Sequence, residues 1–211
     1  MPNRATSTRP AAPSPKPRDT RQHSWSHAIT TITFRIEGHG LSRVTAAIDT
    51  LAGTSRQKAA LRRALNHTGD KAYTLVRREL SMVMGLKQAD LQRRGLSRRR
   101  ANSADMMYQI VGRGGFIPLK DFAARPGVRG VSAAPWGVRR MFKGTFIVGT
   151  IGGNVFKRVG KKRLPIEKLW GPAIPREMVR EAVSTAFYYV AETELPARVE
   201  HEVRILTNGV F

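Results

Sequence analysis

The spacing of apolar residues along the chain alternates between strand-like and helix-like periods, and this pattern constrains the fold more than any other feature. Residues 28–37, AITTITFRIE, alternate apolar and polar positions with many β-branched side chains, which predicts a half-buried strand. A helical period follows up to residue 84, strand-like periods occupy residues 107–159, and an amphipathic helix begins at Pro175. The sequence therefore predicts an α+β fold in which a twisted, mainly antiparallel sheet packs with helices.

Two helical stretches are predicted after the first strand. The first has an interruption at Gly53 and Thr54, and its apolar face consists of Val44, Ile48, Leu51, Leu61 and Leu65. The second spans residues 71–84 and offers Leu75, Leu80 and Met84 for burial.

The C-terminal region is predicted to be one long helix kinked at a proline. Pro175 suits the first helical turn. The predicted apolar face consists of Met178, Val179, Val183, Phe187 and Val190. Pro196 is predicted to kink or break the helix, which then continues to Leu206 and ends at Asn208-Gly209.

Three further strands are predicted, at residues 107–111, 144–150 and 154–159. Gly152-Gly153 lies between the last two strands and predicts a hairpin. Gly114-Gly115 and Pro126-Gly127 predict turns, and the region around these turns is predicted to be rich in loops. Strand order is not predicted.

Positive charge is the strongest compositional feature. The 211 residues include 37 basic and 15 acidic ones, which gives a net charge of +22 and a pI near 11.6. Charge of this size repels copies of the chain from one another unless anions offset it, so a polyanionic or acidic partner is expected.

One stretch concentrates this charge. Between Asp121 and Glu167 there is no acidic residue, but there are ten basic ones: Arg125, Arg129, Arg139, Arg140, Lys143, Lys157, Arg158, Lys161, Lys162 and Arg163. Such a surface suits DNA phosphates or an acidic protein surface. The alternative is a solvated face that only keeps the chain soluble.

The first 27 residues are predicted to form a disordered basic arm, and residues 28–211 a single domain. The arm is rich in Pro, Ser, Thr and Arg, and its charged side chains give a net +4. Two interpretations of this arm remain open. It either makes weak contact with nucleic acid or an acidic ring, or it has no partner.

The arginine-rich segment GLKQADLQRRGLSRRR, residues 85–100, has two interpretations. A helix–turn–helix that reads DNA needs a rigid second helix carrying side chains to the bases. Here the candidate helix spans about two turns and ends at Gly95, with arginines beyond it in a loop or strand. A solvated or phosphate-facing basic segment is therefore favoured.

No pattern typical of an enzyme is present. The chain has no cysteine, its five histidines do not follow a metal-binding spacing, and the GRGG segment at 112–115 lacks the Gly-Lys-Ser/Thr ending of a phosphate-binding loop. We therefore predict no enzymatic activity, metal, cofactor or small-molecule substrate. Neither a membrane span nor a signal peptide is predicted, so we expect the chain to remain in the cytoplasm where it is made.

The segment NVFKRVGKKRLPIEKLWGPAIP, residues 154–175, fits the family string VF-R-G--RLPI--L-GP. The fitting residues are Val155, Phe156, Arg158, Gly160, Arg163, Leu164, Pro165, Ile166, Leu169, Gly171 and Pro172. In this segment the chain resembles the minor tail protein Z family of long-tailed bacteriophages. The resemblance extends upstream through residues 59–66, 71–80, 85–94 and 117–125, and covers the chain from about residue 40.

This resemblance implies a structural virion protein of the phage tail or neck, assembled in the host cytoplasm. Its role would be tail completion and head–tail joining near the DNA exit path. The implied partners are other tail and neck proteins, such as the tail tube, terminator or connector, within a homo-oligomeric ring. The resemblance also implies non-specific contact with genomic DNA. The alternative is a basic nucleic-acid-binding protein, such as a packaging or nucleoid factor, that is not retained in the virion.

The motif also offers apolar anchors. Its prolines stiffen the backbone around Leu164, Ile166 and Trp170. We expect Leu164 and Ile166 to pack in the core and Trp170 to be an interface anchor. Six of the fifteen acidic residues follow in the C-terminal region: Glu177, Glu181, Glu192, Glu194, Glu200 and Glu202. Unlike surfaces of this kind are used in head-to-tail assembly.

Overall fold

A computed structural model describes residues 29–35 and 55–207 of the chain. The helices are α1 (Ser55–Met84), α2 (Gln88–Arg93), α3 (Ile174–Met178) and α4 (Glu181–Leu206). The strands are β1 (Ile29–Arg35), β2 (Leu96–Arg99), β3 (Met107–Arg113), β4 (Arg125–Gly127), β5 (Gly130–Ala133), β6 (Arg140–Lys143), β7 (Thr145–Val148), β8 (Asn154–Arg158) and β9 (Ile166–Lys168). The fold class is α+β, as predicted.

The strands pair antiparallel throughout the described part, but they form three small sheets instead of one. The strand orders are β1-β3-β2, β4-β5-β6 and β7-β8-β9. The predicted first strand is confirmed as β1, which pairs with β3 from Ile29↔Arg113 to Arg35↔Met107. The predicted hairpin is confirmed as β7–β8, with Phe146 opposite Phe156. All six strands after β3 have three to five residues.

The loop-rich region predicted before residue 144 contains the β4–β6 sheet. Pro126-Gly127 lies within β4 instead of forming the turn, which consists of the next two residues, Val128 and Arg129. Proline is tolerated there because β4 is an edge strand, where a missing N–H breaks no ladder. Gly130 allows the close approach of β6, since a Cβ at this position would lie 2.1 Å from the carbonyl oxygen of Phe142.

The two predicted helical stretches are one helix within the described residues. α1 runs without a break through Gly69, although residues 66–70 interrupt the apolar pattern. Gly69 is buried because the ring of Tyr108 packs on it, and a Cβ there would lie 2.4 Å from that ring. Leu80 and Met84 are fully buried, as predicted. The predicted residues Val44, Ile48, Leu51, Gly53 and Thr54 lie outside the described residues.

The C-terminal helical region is interrupted earlier than predicted. α3 ends at Met178, and Arg180 has an extended backbone, with φ −67° and ψ 145°, before α4 begins. α4 passes through Pro196 as one element, and the predicted kink there is not confirmed. Val179 lies at the interruption and is exposed, so its predicted place on the buried face is wrong. The other predicted members of that face, Met178, Val183, Phe187 and Val190, are buried. Asn208-Gly209 lies outside the described residues.

The main core lies where α1, α3 and the first half of α4 meet the sheets. Its largest buried side chains include Leu80, Tyr108, Phe122 and Phe187. A second apolar cluster, containing Leu65, Leu195 and Val199, joins α1 to the C-terminal half of α4. The sheets β4–β6 and β7–β9 therefore have one side on the core and the other in solvent.

Candidate polyanion-binding surface

The arginines of the segment at residues 85–100 are paired with carboxylates. Arg93 pairs with Asp90, Arg94 with Asp121, Arg99 with Asp105, and both Arg98 and Arg100 with Asp70. The helix of this segment is short, and Arg98 and Arg99 lie beyond Gly95 in strand β2, as predicted. These arginines hold the fold together, so their positive charge is largely offset within the chain.

Asp70 is the centre of this network. Its carboxylate accepts hydrogen bonds from Arg100 Nη2 at 2.5 Å and from Tyr108 Oη at 2.9 Å, and Arg98 Nη1 lies 3.1 Å away. Burial opposes ionisation of Asp70, but these hydrogen bonds and nearby cations outweigh it and hold the pKa of the carboxyl below its ordinary 3.8. Burial, followed by the hydrogen bond to Asp70, raises the pKa of Tyr108. The network ties α1 to β2 and β3.

Because the folded-state pKa of Asp70 is lowered, its stabilising contribution is present above pH 3.8 and is lost as pH falls through the folded-state value. We expect Asp70→Asn to lower the free energy of unfolding by about 1–2 kcal/mol near neutral pH. Chemical denaturation of both proteins should show this difference shrinking as the solution is acidified below that pKa. Asp90→Asn is the control, because its partner Arg93 is mostly exposed, and it should cost less than about 1 kcal/mol. A pH-independent cost for Asp70→Asn would contradict this account.

The ten basic residues predicted between Asp121 and Glu167 behave differently. All ten are exposed. Within the part of the chain that the structure describes, none of them forms an ion pair with a carboxylate. We call these ten residues the basic surface. Among the described residues no carboxylate pairs with these cations, so their charge is available to an external anion.

The β4–β6 sheet presents part of the basic surface on its solvent side. In the strand register, Arg125 lies opposite Ser132, and Ser132 lies opposite Met141. Lys143 follows Met141 by two residues and therefore lies on the same face of the sheet. Arg139 donates hydrogen bonds to the carbonyl oxygen of Ala123 at 3.3 Å and to Ser132 Oγ at 3.0 Å. The structure thus holds the Arg139 guanidinium in place beside Arg125.

The β7–β9 sheet combines cations with aromatic rings. The guanidinium of Arg158 lies 5.3 Å from the ring centre of Phe146, and Lys168 Nζ lies 4.1 Å from that of Trp170. Phe146 and Phe156 pack with ring centres 6.5 Å apart. Cation–π contacts of this kind reduce the freedom of the side chains and keep their charge at the surface. Lys168 was missed in the sequence, because the acid-free stretch ends one residue before it.

After β8 the basic surface continues into an exposed loop. Every residue from Lys157 to Pro165 is exposed, including the run Lys161, Lys162 and Arg163. Leu164 is 65% exposed, so its predicted place in the core is wrong. It lies in the loop between β8 and β9, and none of the helices and strands in the described ranges covers it. Ile166 is half-buried.

Trp170 lies at the edge of this region and is 38% exposed. Its backbone forms a bridge with Pro118, and Lys168 covers one face of its indole. Nearby residues of the same motif serve the fold: Val155 is fully buried, and a Cβ at Gly171 would lie 2.4 Å from the ring of Phe122. Part of the motif is therefore structural and part is available for contact.

Comparison of the chain with protein-family models, with curated proteins and with solved structures finds no match. Among the described residues, no group of three or more His, Asp or Glu side chains is placed to hold a metal ion. No helix in that part has the length and apolar character needed to cross a membrane. The basic surface is the candidate site because its ten exposed cations have no carboxylate partner among the described residues.

Proposed function

We propose that this chain is a structural virion protein of a phage tail or neck, acting in tail completion and head–tail joining near the DNA exit path. The observation that carries the electrostatic part is the basic surface, whose ten cations are exposed and without carboxylate partners in the described part. In this proposal they meet genomic DNA or acidic surfaces of the tail tube, terminator or connector. The motif at residues 154–175 supports the tail assignment through its resemblance to the minor tail protein Z family.

A basic nucleic-acid-binding protein that acts outside the virion is the second candidate. It is favoured by the same cations and by the aromatic rings beside Arg158 and Lys168, since cations next to aromatic rings are common on nucleic-acid-binding surfaces. The two candidates differ in whether the chain is retained in mature particles. They also differ in salt dependence, because binding through phosphates weakens steeply between about 50 and 200 mM salt, whereas an apolar contact at Trp170 does not.

Electron cryomicroscopy of purified particles of a phage that encodes this chain would test the first proposal. We expect density for the chain in a ring at the neck or the head-proximal tail. We also expect Trp170→Ala to abolish incorporation into particles, because it removes an aromatic anchor, while Trp170→Phe retains a ring and incorporation. Mature particles that lack the wild-type chain would contradict the proposal and favour the second candidate. Normal incorporation of Trp170→Ala would rule out this anchor.

A further inference from the structure

Helix α4 carries an acidic surface that the proposed function does not use. Between Arg180 and Arg198 the chain has no Lys or Arg. Glu181, Tyr188 and Glu192 are separated by seven and four residues, which places them on one face of the helix, and Tyr189 lies beside them. Tyr188 is 57% and Tyr189 64% exposed, and both glutamates are exposed. We call these four residues the acidic tyrosine face.

Most of this face lies outside the core, although the ring of Tyr188 packs edge-to-face on Phe187 with ring centres 5.6 Å apart. The opposite side of α4 buries Val183, Phe187 and Val190 in the main core. Glu194 pairs with Lys71 at 2.7 Å, whereas neither Glu181 nor Glu192 forms an ion pair with any residue that the structure describes. Exposed tyrosines are enriched where one protein binds another, and the two carboxylates give this face a negative charge that a basic partner would match.

The complementary surface is present on the same chain. The loop between β8 and β9 exposes Lys161, Lys162 and Arg163 in succession, followed by the exposed apolar side chain of Leu164. The loop presents three cations and one apolar side chain, and the acidic tyrosine face presents two carboxylates and two tyrosine rings. The charges of the two surfaces are therefore opposite, and both surfaces offer apolar contact. Since both surfaces are exposed on different elements, the loop of another copy is the partner that the charges favour.

We propose that the acidic tyrosine face of one copy docks on residues 161–164 of a second copy. The two surfaces are different, so the association is head-to-tail: each added copy uses one surface and leaves the other free, unless the assembly closes into a ring. This inference uses part of the same basic surface as the proposed function but does not depend on a virion. Arg125, Arg139 and Lys143 remain free for nucleic acid in the associated form.

The net positive charge of each copy repels other copies, and the strength of this repulsion depends on the salt concentration. At about 0.15 M salt the Debye length is about 8 Å, so distant like charges are screened while contacts at the interface persist. The two tyrosines and Leu164 add apolar contact that salt does not weaken. Association should therefore be measurable at moderate ionic strength.

The test uses two charge-reversed forms of the full chain, freed of nucleic acid by nuclease, and sedimentation velocity. The first variant carries Glu181→Lys and Glu192→Lys, and the second carries Lys161→Glu, Lys162→Glu and Arg163→Glu. Each alone should self-associate at least roughly tenfold more weakly than the wild type, because like charges then face each other. An equimolar mixture should regain association, because each variant's altered surface matches the other's. This recovery requires both variants to be folded.

Three results would overturn the inference: a monomeric wild type, unchanged association of either variant, or no recovery in the mixture. Tyr189→Ser provides a second variant, which should weaken association without changing net charge. The first charge variant should still bind duplex DNA as tightly as the wild type or more tightly. If the two charge-reversed variants associate as the wild type does, this inference is rejected. If replacement of Arg125, Arg129 and Lys143 with glutamate still abolishes binding to DNA, the proposed function stands.

Discussion

Replacing Arg125, Arg129 and Lys143 with glutamate should weaken binding of the chain to duplex DNA by roughly 10²–10³-fold at about 0.1 M salt. The three residues lie on or beside the solvent side of the β4–β6 sheet, and none is paired with a carboxylate in the described part. Each phosphate contact contributes about 0.9 to the slope of log K against log salt, so three contacts contribute about 2.7. Loss of these three contacts is equivalent to a loss of about 3–4 kcal/mol of binding free energy at this salt concentration.

The matched control is Arg56→Glu, Lys58→Glu and Arg78→Glu on α1, which changes the net charge by the same amount at exposed positions. Fluorescence anisotropy with a labelled duplex, repeated between about 50 and 200 mM salt, gives affinity and slope for both variants. We expect the sheet variant to lose most of its affinity and a slope of about 2.7, and the control to change much less. Equal losses in the two variants would mean that only net charge matters and would reject a localised basic surface.

Replacement of Glu202 with alanine should lower the free energy of unfolding by about 3 kcal/mol. Glu202 is 2% exposed and accepts a hydrogen bond from Arg63 Nε on α1 at 2.7 Å and another from Arg198 Nη2 on α4 at 2.6 Å. Alanine would leave two guanidinium groups without their partner at the contact between the two longest helices. The expected cost lies at the lower end for a buried ion pair, because Arg63 is half exposed and can be hydrated.

Glu200→Ala is the control, because this residue lies two positions away on α4 and pairs with Arg204 at the surface. An exposed pair of this kind contributes less than about 1 kcal/mol. Urea denaturation followed by far-UV circular dichroism should separate the two variants clearly. If the two variants lose the same stability, the buried ion pair does not stabilise the contact between α1 and α4.

The outcome for the helices shows where sequence periodicity is sufficient. The apolar spacing around Leu80, Met84, Val183 and Phe187 predicted which side chains are buried, because a helix facing one core repeats its apolar positions every three or four residues. The same spacing failed at residues 66–70, which were assigned to a gap between helices. Gly69 is buried there because Tyr108 packs on it, and that contact joins residues 39 positions apart in the sequence.

For the strands, the sequence predicted less than it did for the helices. The hairpin around Gly152-Gly153 could be predicted because its pairing is local. The pairing of β1 with β3 could not, because it joins segments far apart in the chain. Leu164 was wrongly assigned to the core for the same reason, since an apolar side chain is buried only where another element covers it.

For the candidate site, the sequence alone determined which residues carry the charge, and it predicted that the ten cations between Asp121 and Glu167 have no acidic neighbour in sequence. It could not distinguish them from the arginines at 93–100, which are equally basic. Arg93 pairs locally with Asp90. For the other four arginines only the tertiary structure decided this, because Asp70, Asp105 and Asp121 reach them from outside the segment, whereas no carboxylate in the described part pairs with the ten cations. Charge is a property of composition, whereas its compensation depends on which carboxylates the fold brings within hydrogen-bonding distance.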